Sequence, residues 1–353
     1  MGYKGSLVQR IIEDRVFSIV QKEAMDLAKG SNMLLKLLSK SRVWLAVIVA
    51  LWVIPYFLNI YTLYVFSWFL VYLIAAIGLN LIMGYAGQIS LGQAGFLAIG
   101  AYTVSLLTTN GCSFWLALPL GGVLAFAVGL ALGIPSLQVK HHYLAMVTLG
   151  FGIIVYKALV NEKEITGGTY GILNIPRPKL GSISLQSDLA YAHLIVLITM
   201  AMVMVMYWIL NTSWGRAFKM IRENEIRAEV LGVNLRTYKL SAFAIGSGYG
   251  GVAGGLLAPL LTYMDPTAFQ FYVSFDFLFI VIIGGMGRLL GPVIGTTVVI
   301  LMPEILRIAR QLNLIIFSLI AVLVLIAAPR GGIFFVDWIY KLLTGKKTLS
   351  LTK

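Results

Sequence analysis

The stretch TLYVFSWFLVYLIAAIGLNLIM occupies Thr62–Met83, is 22 residues long and carries no charged side chain. About 20 consecutive apolar residues, each rising 1.5 Å along a helix, are enough to cross the hydrocarbon core of a bilayer. The stretch therefore predicts a transmembrane helix.

The composition of the whole chain agrees with a membrane protein. Hydrophobic residues make up 59% of the 353 residues and charged residues only 12%, whereas an average soluble domain has about 45–50% and about 25%. The single cysteine, Cys112, excludes an internal disulfide framework, and three scattered histidines argue against a zinc site. The apolar runs are too long and unbroken for an outer-membrane β-barrel. We expect an all-α polytopic membrane protein without a metal or cofactor.

Similar apolar runs recur along the chain, and about ten transmembrane helices are predicted. The predicted spans are residues 43–60, 62–83, 94–108, 114–137, 143–160, 189–210, 240–261, 273–287, 289–302 and 312–328. The runs at 94–108 and 289–302 are too short for straight spans, which indicates broken or re-entrant helices. We thus expect an amphipathic cytoplasmic segment at 1–42, a transmembrane permease domain at 43–328 and a basic cytoplasmic tail at 329–353.

The placement of positive charge gives the orientation of these spans. Of the 27 Lys and Arg residues, 21 fall in segments that share one side of the membrane and six fall on the other. The positive-inside rule then makes both termini and loop 211–239 cytoplasmic, with loop 161–188 outside. Topology and lipid headgroups account for the net charge of +13, so nucleic-acid binding is not expected.

Two glycine-rich hinges, 84–95 and 284–292, each place a Gly-x-x-Gly turn between apolar runs and hint at an internal repeat. Most polar side chains of the membrane domain near them are uncharged. They are candidates to line a substrate path, and packing between helices is the alternative. These translocation-path candidates are Asn80, Gln88, Ser90, Gln93, Tyr102 and Thr148.

Two loops are candidate docking surfaces. In loop 211–239, Gly215 and Gly232 bracket about sixteen good helix formers of both charges, which predicts one amphipathic helix over 217–232. A solvated surface helix is the alternative. In the outside loop, Thr166, Gly167 and Gly168 are placed to meet an external partner, or else belong to a rigid connector.

The inside loop resembles the cytoplasmic coupling loop of permease subunits of bacterial ABC importers, in particular the branched-chain amino acid family. The matching residues that this resemblance assigns to ATPase coupling are Gly215, Arg216, Ile221, Arg222, Glu225, Ala228 and Gly232. Further matching blocks run in order from about residue 76 to residue 306. They include 78–81, 87–94, 98–103, 143–152, 166–178, 284–287 and 291–292.

The resemblance implies an ABC-importer permease architecture in the bacterial inner membrane. The chain would move hydrophobic, branched-chain amino acids with a second homologous permease, two cytoplasmic ATP-binding subunits and an external solute-binding protein. It would not itself be an enzyme, since its tail at 340–348 lacks the pattern of a phosphate-binding loop. The alternatives are a related permease for urea or short amides, and an ion-coupled secondary carrier that uses Asp276.

Overall fold

The computed structural model describes residues 49–136, 141–180 and 183–305. The N-terminal segment 1–42, the predicted last span and the basic tail lie outside these residues, as do the two termini. The chain divides into two units after Ile54. The described part of the first unit is helical at residues 49–53. The helical turn at Ile54–Phe57 begins at the boundary, and all later elements belong to the second unit.

Helices account for nearly all regular structure in the described residues. They are α1 (Ile60–Asn80), α2 (Gln93–Thr109), α3 (Phe114–Ser136), α4 (His141–Asn161), α5 (Asp188–Asn211), α6 (Ser213–Glu223), α7 (Glu225–Val230), α8 (Leu235–Leu261), α9 (Phe271–Gly284), α10 (Gly291–Thr296) and α11 (Met302–Ile305). A π-helical turn follows α1 at Leu81–Tyr85, and another joins α10 to α11 at Thr297–Leu301. Short helical turns lie at Ile54–Phe57, Lys163–Thr166, Gly168–Tyr170 and Pro266–Phe269. Strands β1 (Lys179–Leu180) and β2 (Ile183–Ser184) pair antiparallel.

Helix α8 is the centre of the described bundle, and α1, α2 and α3 pack around it. Small residues make this possible, because helices in a membrane associate through close packing rather than through a hydrophobic effect. A Cβ atom at Gly100 of α2 would lie 1.9 Å from the carbonyl oxygen of Gly251 in α8, and one at Gly78 of α1 would lie 2.5 Å from that of Gly246. Side chains at these crossings would force the helices apart.

Five predicted spans are confirmed as helices long and apolar enough to cross a membrane. They are Ile60–Tyr85, Phe114–Pro135, Tyr143–Asn161, Asp188–Asn211 and Leu235–Leu261. Two shorter apolar helices, Phe271–Gly284 and Gly291–Glu304, correspond to the predicted pair at 273–287 and 289–302. The chain is therefore a multi-pass membrane protein, and a count of ten is not reached within the described residues.

The described end of the first predicted span lies a few residues earlier than expected. The predicted span was about 43–60, whereas the helical turn at Ile54–Phe57 ends at Phe57 and a new helix begins at Ile60. Pro55 has no backbone N–H to continue a helix, and Asn59 has an extended backbone. Its carbonyl oxygen accepts a hydrogen bond from the Leu63 N–H at 2.8 Å, which starts α1.

The short predicted run at 94–108 is one unbroken helix, α2 (Gln93–Thr109), and the break in the chain lies before it. After Tyr85, residues 86–92 form no helix, and α2 begins at Gln93 beside Ala75 of α1 and Gly246 of α8, both well inside their helices. Irregular backbone at membrane depth is tolerated only where protein or a water-filled cavity surrounds it. The segment 86–92 is largely buried within the bundle, which meets this condition.

Candidate functional site

Helix α6 is separated from α5 by Thr212, which has an extended backbone, and packs against the ends of α5 and α8. A Cβ atom at Gly215 would lie 2.0 Å from the carbonyl oxygen of Leu210, so only glycine fits this corner. The buried face of α6 consists of Gly215, Ala217, Phe218 and Ile221, at the spacing of an amphipathic helix. The rings of Trp214, Phe218 and Tyr238 pack together with centroids 5.0–6.2 Å apart. This cluster holds α6 against the start of α8.

The predicted single helix over 217–232 is wrong in one respect. Asn224 has an extended backbone, with φ −163° and ψ 113°, and separates α6 from α7. Its side-chain oxygen accepts a hydrogen bond from the Arg227 N–H at 3.0 Å and caps α7. Asparagine competes with the helix through such local hydrogen bonds, a signal that counting helix formers misses.

Arg222 brings the inside loop into contact with both glycine hinges. Its Nη1 donates a hydrogen bond to the carbonyl oxygen of Met286 at 3.4 Å. A Cβ atom at Gly287 would lie 1.9 Å from the same Nη1, and one at Gly87 would lie 3.5 Å from the Arg222 Cα. The Nζ of Lys219 lies 6.0 Å from the ring centroid of Tyr85. The two hinges were predicted separately from the loop, but the structure places all three segments together.

Asn80 joins the end of α1 to the second hinge. Its Nδ2 donates to the carbonyl oxygen of Arg288 at 2.9 Å, and its Oδ1 accepts from the Gly287 N–H at 2.9 Å. Gly84 lies against the same group, since a Cβ atom there would be 2.2 Å from both Asn80 Oδ1 and the Gly287 nitrogen. Asn80, predicted as a path residue, is therefore a cross-link between α1 and the 285–290 turn in the described structure.

Next to α6, helix α7 presents an exposed apolar patch, which we define as Ile226, Val230 and Leu231. These side chains are 74%, 82% and 70% exposed. The patch lies beside charged residues of both signs, including Arg227 and Glu229. An isolated exposed apolar side chain needs no explanation, but three within six residues indicate a contact surface.

The predicted coupling residues divide into supporting and exposed positions. Ile221 and Ala228 are buried beneath the loop, while Arg216 and Arg222 are exposed. The Oε2 of Glu225 forms an ion pair with the Nζ of Lys239 at 2.6 Å, and this pair joins the start of α7 to α8. Gly232 has φ +82°, and a Cβ atom there would meet nothing within 4 Å. No rule of sequence spacing identified the exposed patch itself.

Of the other path candidates, Thr148 holds the broken segment 86–92, Gln93 joins the start of α2 to α1, and Tyr102 joins α2 to the loop after α8. Thr148 Oγ1 accepts from the Leu91 N–H at 2.8 Å, Gln93 Nε2 donates to the Ala75 carbonyl oxygen at 2.8 Å, and Tyr102 OH donates to that of Met264 at 3.5 Å. All six candidates are buried in this single chain. The Oε1 atoms of Gln88 and Gln93 are buried without a hydrogen-bond partner among the described residues. Ser90 Oγ accepts only a long contact of 3.4 Å from the Gly92 N–H.

The outside loop is built around the predicted Thr166-Gly167-Gly168 turn. Thr166 Oγ1 donates to the carbonyl oxygen of Leu159 at 2.6 Å, and Gly167 has φ +76° where a Cβ atom would meet the Gly171 carbonyl oxygen at 2.2 Å. Ile172 and Met264 exchange two backbone hydrogen bonds, so this loop is tied to the one after α8. The turn is therefore structural, and exposed apolar side chains lie around it: Ile165, Tyr170 and Leu173.

Acidic residues in the membrane helices are few. Glu304 accepts a hydrogen bond from the Tyr61 hydroxyl at 2.5 Å. Asp276 lies in the second turn of α9, is partly exposed, and has no hydrogen-bond or ion-pair partner among the described residues. The described part of the chain also contains no group of three His, Cys, Asp or Glu side chains that could hold a metal ion.

Most of the chain matches a known protein family. Residues 61–329 match the family described as "Branched-chain amino acid transport system / permease component". The chain belongs to this permease family. The match includes all of the hinges and the inside loop, so the family assignment rests on the same residues as the site. A transport permease of this kind is not itself an enzyme.

Three curated relatives agree with the family. The chain is 35% identical over 286 residues to the "High-affinity branched-chain amino acid transport system permease protein LivM" of Escherichia coli (strain K12). The aligned region covers 74% of this chain and 67% of the relative. The protein of the same name from Salmonella typhimurium (strain LT2) gives the same identity and coverage. The "Probable branched-chain amino acid transport permease protein LivM" of Methanocaldococcus jannaschii is 25% identical over 320 residues, or 75% of this chain and 90% of the relative. No solved structure matches the chain significantly.

Proposed function

We propose that this chain is a membrane subunit of an ATP-driven importer for branched-chain amino acids in the bacterial inner membrane. Separate cytoplasmic ATPase subunits would dock on α6 and α7. The observation that carries the proposal is the contact of Arg222 with both glycine hinges beside the exposed patch Ile226, Val230 and Leu231. A docking surface that touches the transmembrane hinges directly is what coupling to an external motor requires.

The contacts supply a mechanical route from the docking surface into the bundle. When an ATPase moves α7, the break at Asn224 and the ion pair between Glu225 and Lys239 determine how far α6 follows. Arg222 then moves the 285–290 turn, and Asn80 carries the displacement to α1. Small shifts at such packed contacts can rock helices between two arrangements.

The path would form between this chain and a second, homologous permease. Uncharged polar side chains and glycines suit an apolar amino acid, whose side chain needs no counter-charge. The buried and unpartnered Oε1 atoms of Gln88 and Gln93 are the described groups best suited to meet a substrate once the helices move apart. An external solute-binding protein would dock on the outside loop at Ile165, Tyr170 and Leu173.

The test is co-purification of ATPase subunits with the chain in a gentle detergent, compared between two matched variants. Leu231→Asp places a charge in the exposed patch, and Leu173→Asp makes the same change in the outside loop. The two leucine side chains are similarly exposed, at 70% for Leu231 and 63% for Leu173. Both sites tolerate the substitution in the isolated chain because neither side chain is buried. We expect Leu231→Asp to reduce the co-purified ATPase about tenfold or more, as loss of an interface hot spot does.

Leu173→Asp should retain the ATPase subunits but weaken stimulation by the binding protein. Equal amounts of ATPase with both variants would contradict the docking assignment. Screening leucine, valine, urea and short amides for uptake by the reconstituted complex then separates the amino acid permease from its urea and amide relatives.

An ion-coupled secondary carrier is the second candidate, and the unpaired carboxylate of Asp276 favours it. It predicts that the chain transports solute in liposomes without ATPase subunits, and that Asp276→Asn abolishes this transport while leaving assembly intact. ATP-dependent uptake that survives Asp276→Asn would remove the secondary carrier from consideration.

A further inference from the structure

A partly open cavity of about 410 Å³ lies where α1, α5 and α8 meet the outside loop. Ligand pockets for small molecules generally start at about 300 Å³. The cavity is therefore large enough for a free amino acid but small for a peptide. Its position at the loop ends places it on the side from which an external binding protein would deliver substrate.

One cation and one anion belong to the cavity lining, and they touch each other. Arg177 Nη2 lies 2.6 Å from Asp188 Oδ1, and Arg177 Nη1 donates to the Gln186 carbonyl oxygen at 2.5 Å. The guanidinium carbon lies 5.8 Å from the ring centroid of Tyr191, which orients the group through a cation–π contact. Arg177 Nε is buried without an acceptor among the described residues. The guanidinium thus has hydrogen-bonding capacity that its present partners do not use.

The remaining walls of the cavity are mostly apolar. Leu63, Tyr64 and Leu260 contribute aliphatic and aromatic surface. The polar atoms of the other lining residues are engaged elsewhere: Ser67 Oγ donates to the Leu63 carbonyl oxygen at 2.9 Å, and the Tyr191 hydroxyl donates to that of Leu256 at 2.6 Å. A ligand therefore meets an ionic pair on one side and an apolar surface on the other.

We propose that this cavity binds a zwitterionic amino acid with an aliphatic side chain. The carboxylate would pair with Arg177, the ammonium with Asp188, and the side chain would pack against Leu63 and Leu260. The ligand inserts its own opposite charges beside an existing ion pair, so no charge is left uncompensated. The proposal rests on the transport function above and gives the chain a receiving site for substrate before it enters the path.

Binding of radiolabelled L-leucine at millimolar concentration to the assembled complex in nanodiscs, without binding protein or ATP, tests the site. Arg177→Gln removes the cation, and Ser67→Leu fills the cavity while both charges remain. Arg177→Gln should weaken binding at least about tenfold, the effect expected for one charged hydrogen-bond partner. Ser67→Leu should weaken binding at least about tenfold because the larger side chain occupies the space of the ligand. Lys179→Gln is the matched control, because Lys179 is an exposed cation of the same loop outside the cavity lining.

Two leucine analogues test whether the cavity recognises both charges of the amino acid. Leucinamide lacks the carboxylate and 4-methylpentanoate lacks the ammonium, so each should bind at least about tenfold more weakly than L-leucine. Equal binding of either analogue, or leucine binding unchanged in both Arg177→Gln and Ser67→Leu, would overturn the proposal. So would a phospholipid that co-purifies with the wild type and is lost in Ser67→Leu while leucine does not bind.

Co-purified ATPase measured on the same preparations separates the two levels of inference. Normal ATPase association without leucine binding would refute the cavity site alone. Absence of ATPase association would refute the importer function, whatever the result for leucine.

Discussion

Substituting Gly287 by alanine tests whether the contact between α6 and the second hinge controls coupling. Gly287 has φ +75°, a region in which a residue with a Cβ atom loses about 1–2 kcal/mol. The new methyl group would lie 1.9 Å from Arg222 Nη1 and 2.4 Å from the Gly84 carbonyl oxygen. Overpacking of this kind costs about 1–3 kcal/mol. Since the arginine side chain can swing away but the backbone of Gly84 cannot, we expect a total of about 2–5 kcal/mol.

Gly111→Ala is the control that isolates the contact from the backbone strain. Gly111 has φ +88°, and a Cβ atom there would meet nothing within 4 Å. It should therefore show only the conformational cost of about 1–2 kcal/mol. Both variants are assembled with their partner subunits, and two quantities are measured: the midpoint of thermal unfolding and the number of leucine molecules transported per ATP hydrolysed.

Gly287→Ala should lower the unfolding midpoint more than Gly111→Ala and should also lower the transport ratio, which Gly111→Ala leaves unchanged. Adding Arg222→Ala to Gly287→Ala should recover the part of the stability loss caused by the guanidinium. The part caused by the Gly84 carbonyl oxygen should remain. If Gly287→Ala and Gly111→Ala behave alike in both assays, the hinge contact has no role in coupling and the route described above is wrong.

Two further predictions concern the same group of contacts. Asn80→Ala leaves the Gly287 N–H without its partner, at about 1–3 kcal/mol for an unsatisfied group. The Arg288 carbonyl oxygen still accepts a hydrogen bond from the Gly291 N–H at 3.1 Å. Thermal unfolding should show a larger loss of stability for Asn80→Ala than for Asn110→Ala, because the Asn110 side chain bonds one carbonyl oxygen on an exposed helix end. Glu225→Lys should reduce the transport ratio, because it places a second cation beside Lys239. The double variant Glu225→Lys/Lys239→Glu exchanges the two charges and should restore the ratio. Failure of the exchange to restore coupling, with assembly intact, would show that the pair acts through something other than its mutual attraction.

Much of the fold follows from hydropathy, because a helix that crosses a bilayer must be apolar for about 20 residues. The five long helices were predicted in this way to within a few residues, except that α8 begins at Leu235 rather than at 240. Broken helices were also indicated by short runs at 94–108 and 289–302, but the run at 94–108 is one helix and the break lies before it. The break between the first two spans was predicted a few residues late, at residue 61, and the break at Asn224 was missed, because each depends on one residue's local hydrogen bonding and not on average composition.

The site was predicted as separate parts. Loop 211–239, the two hinges and Asn80 were each singled out, but their contacts join residues more than 60 and up to about 200 positions apart in the chain. No periodic pattern in the sequence reports such distant pairs. The outward-facing side chains of the loop, Ile226 and Val230, were missed because the sequence predicted an amphipathic helix without assigning a face to each residue and did not predict the break at Asn224.

The arrangement of π-helical turns gives the hinges a physical means to move. One π turn, Leu81–Tyr85, overlaps the start of the first hinge, and the other, Thr297–Leu301, follows the second. A π turn inside a helix is rare and frequently marks a functional site. A pull from Arg222 on the 285–290 turn reaches α1 through Asn80, one residue before its π turn. We therefore expect α1 to bend at this turn and to carry the broken segment 86–92, with its two buried glutamines, toward or away from the substrate path.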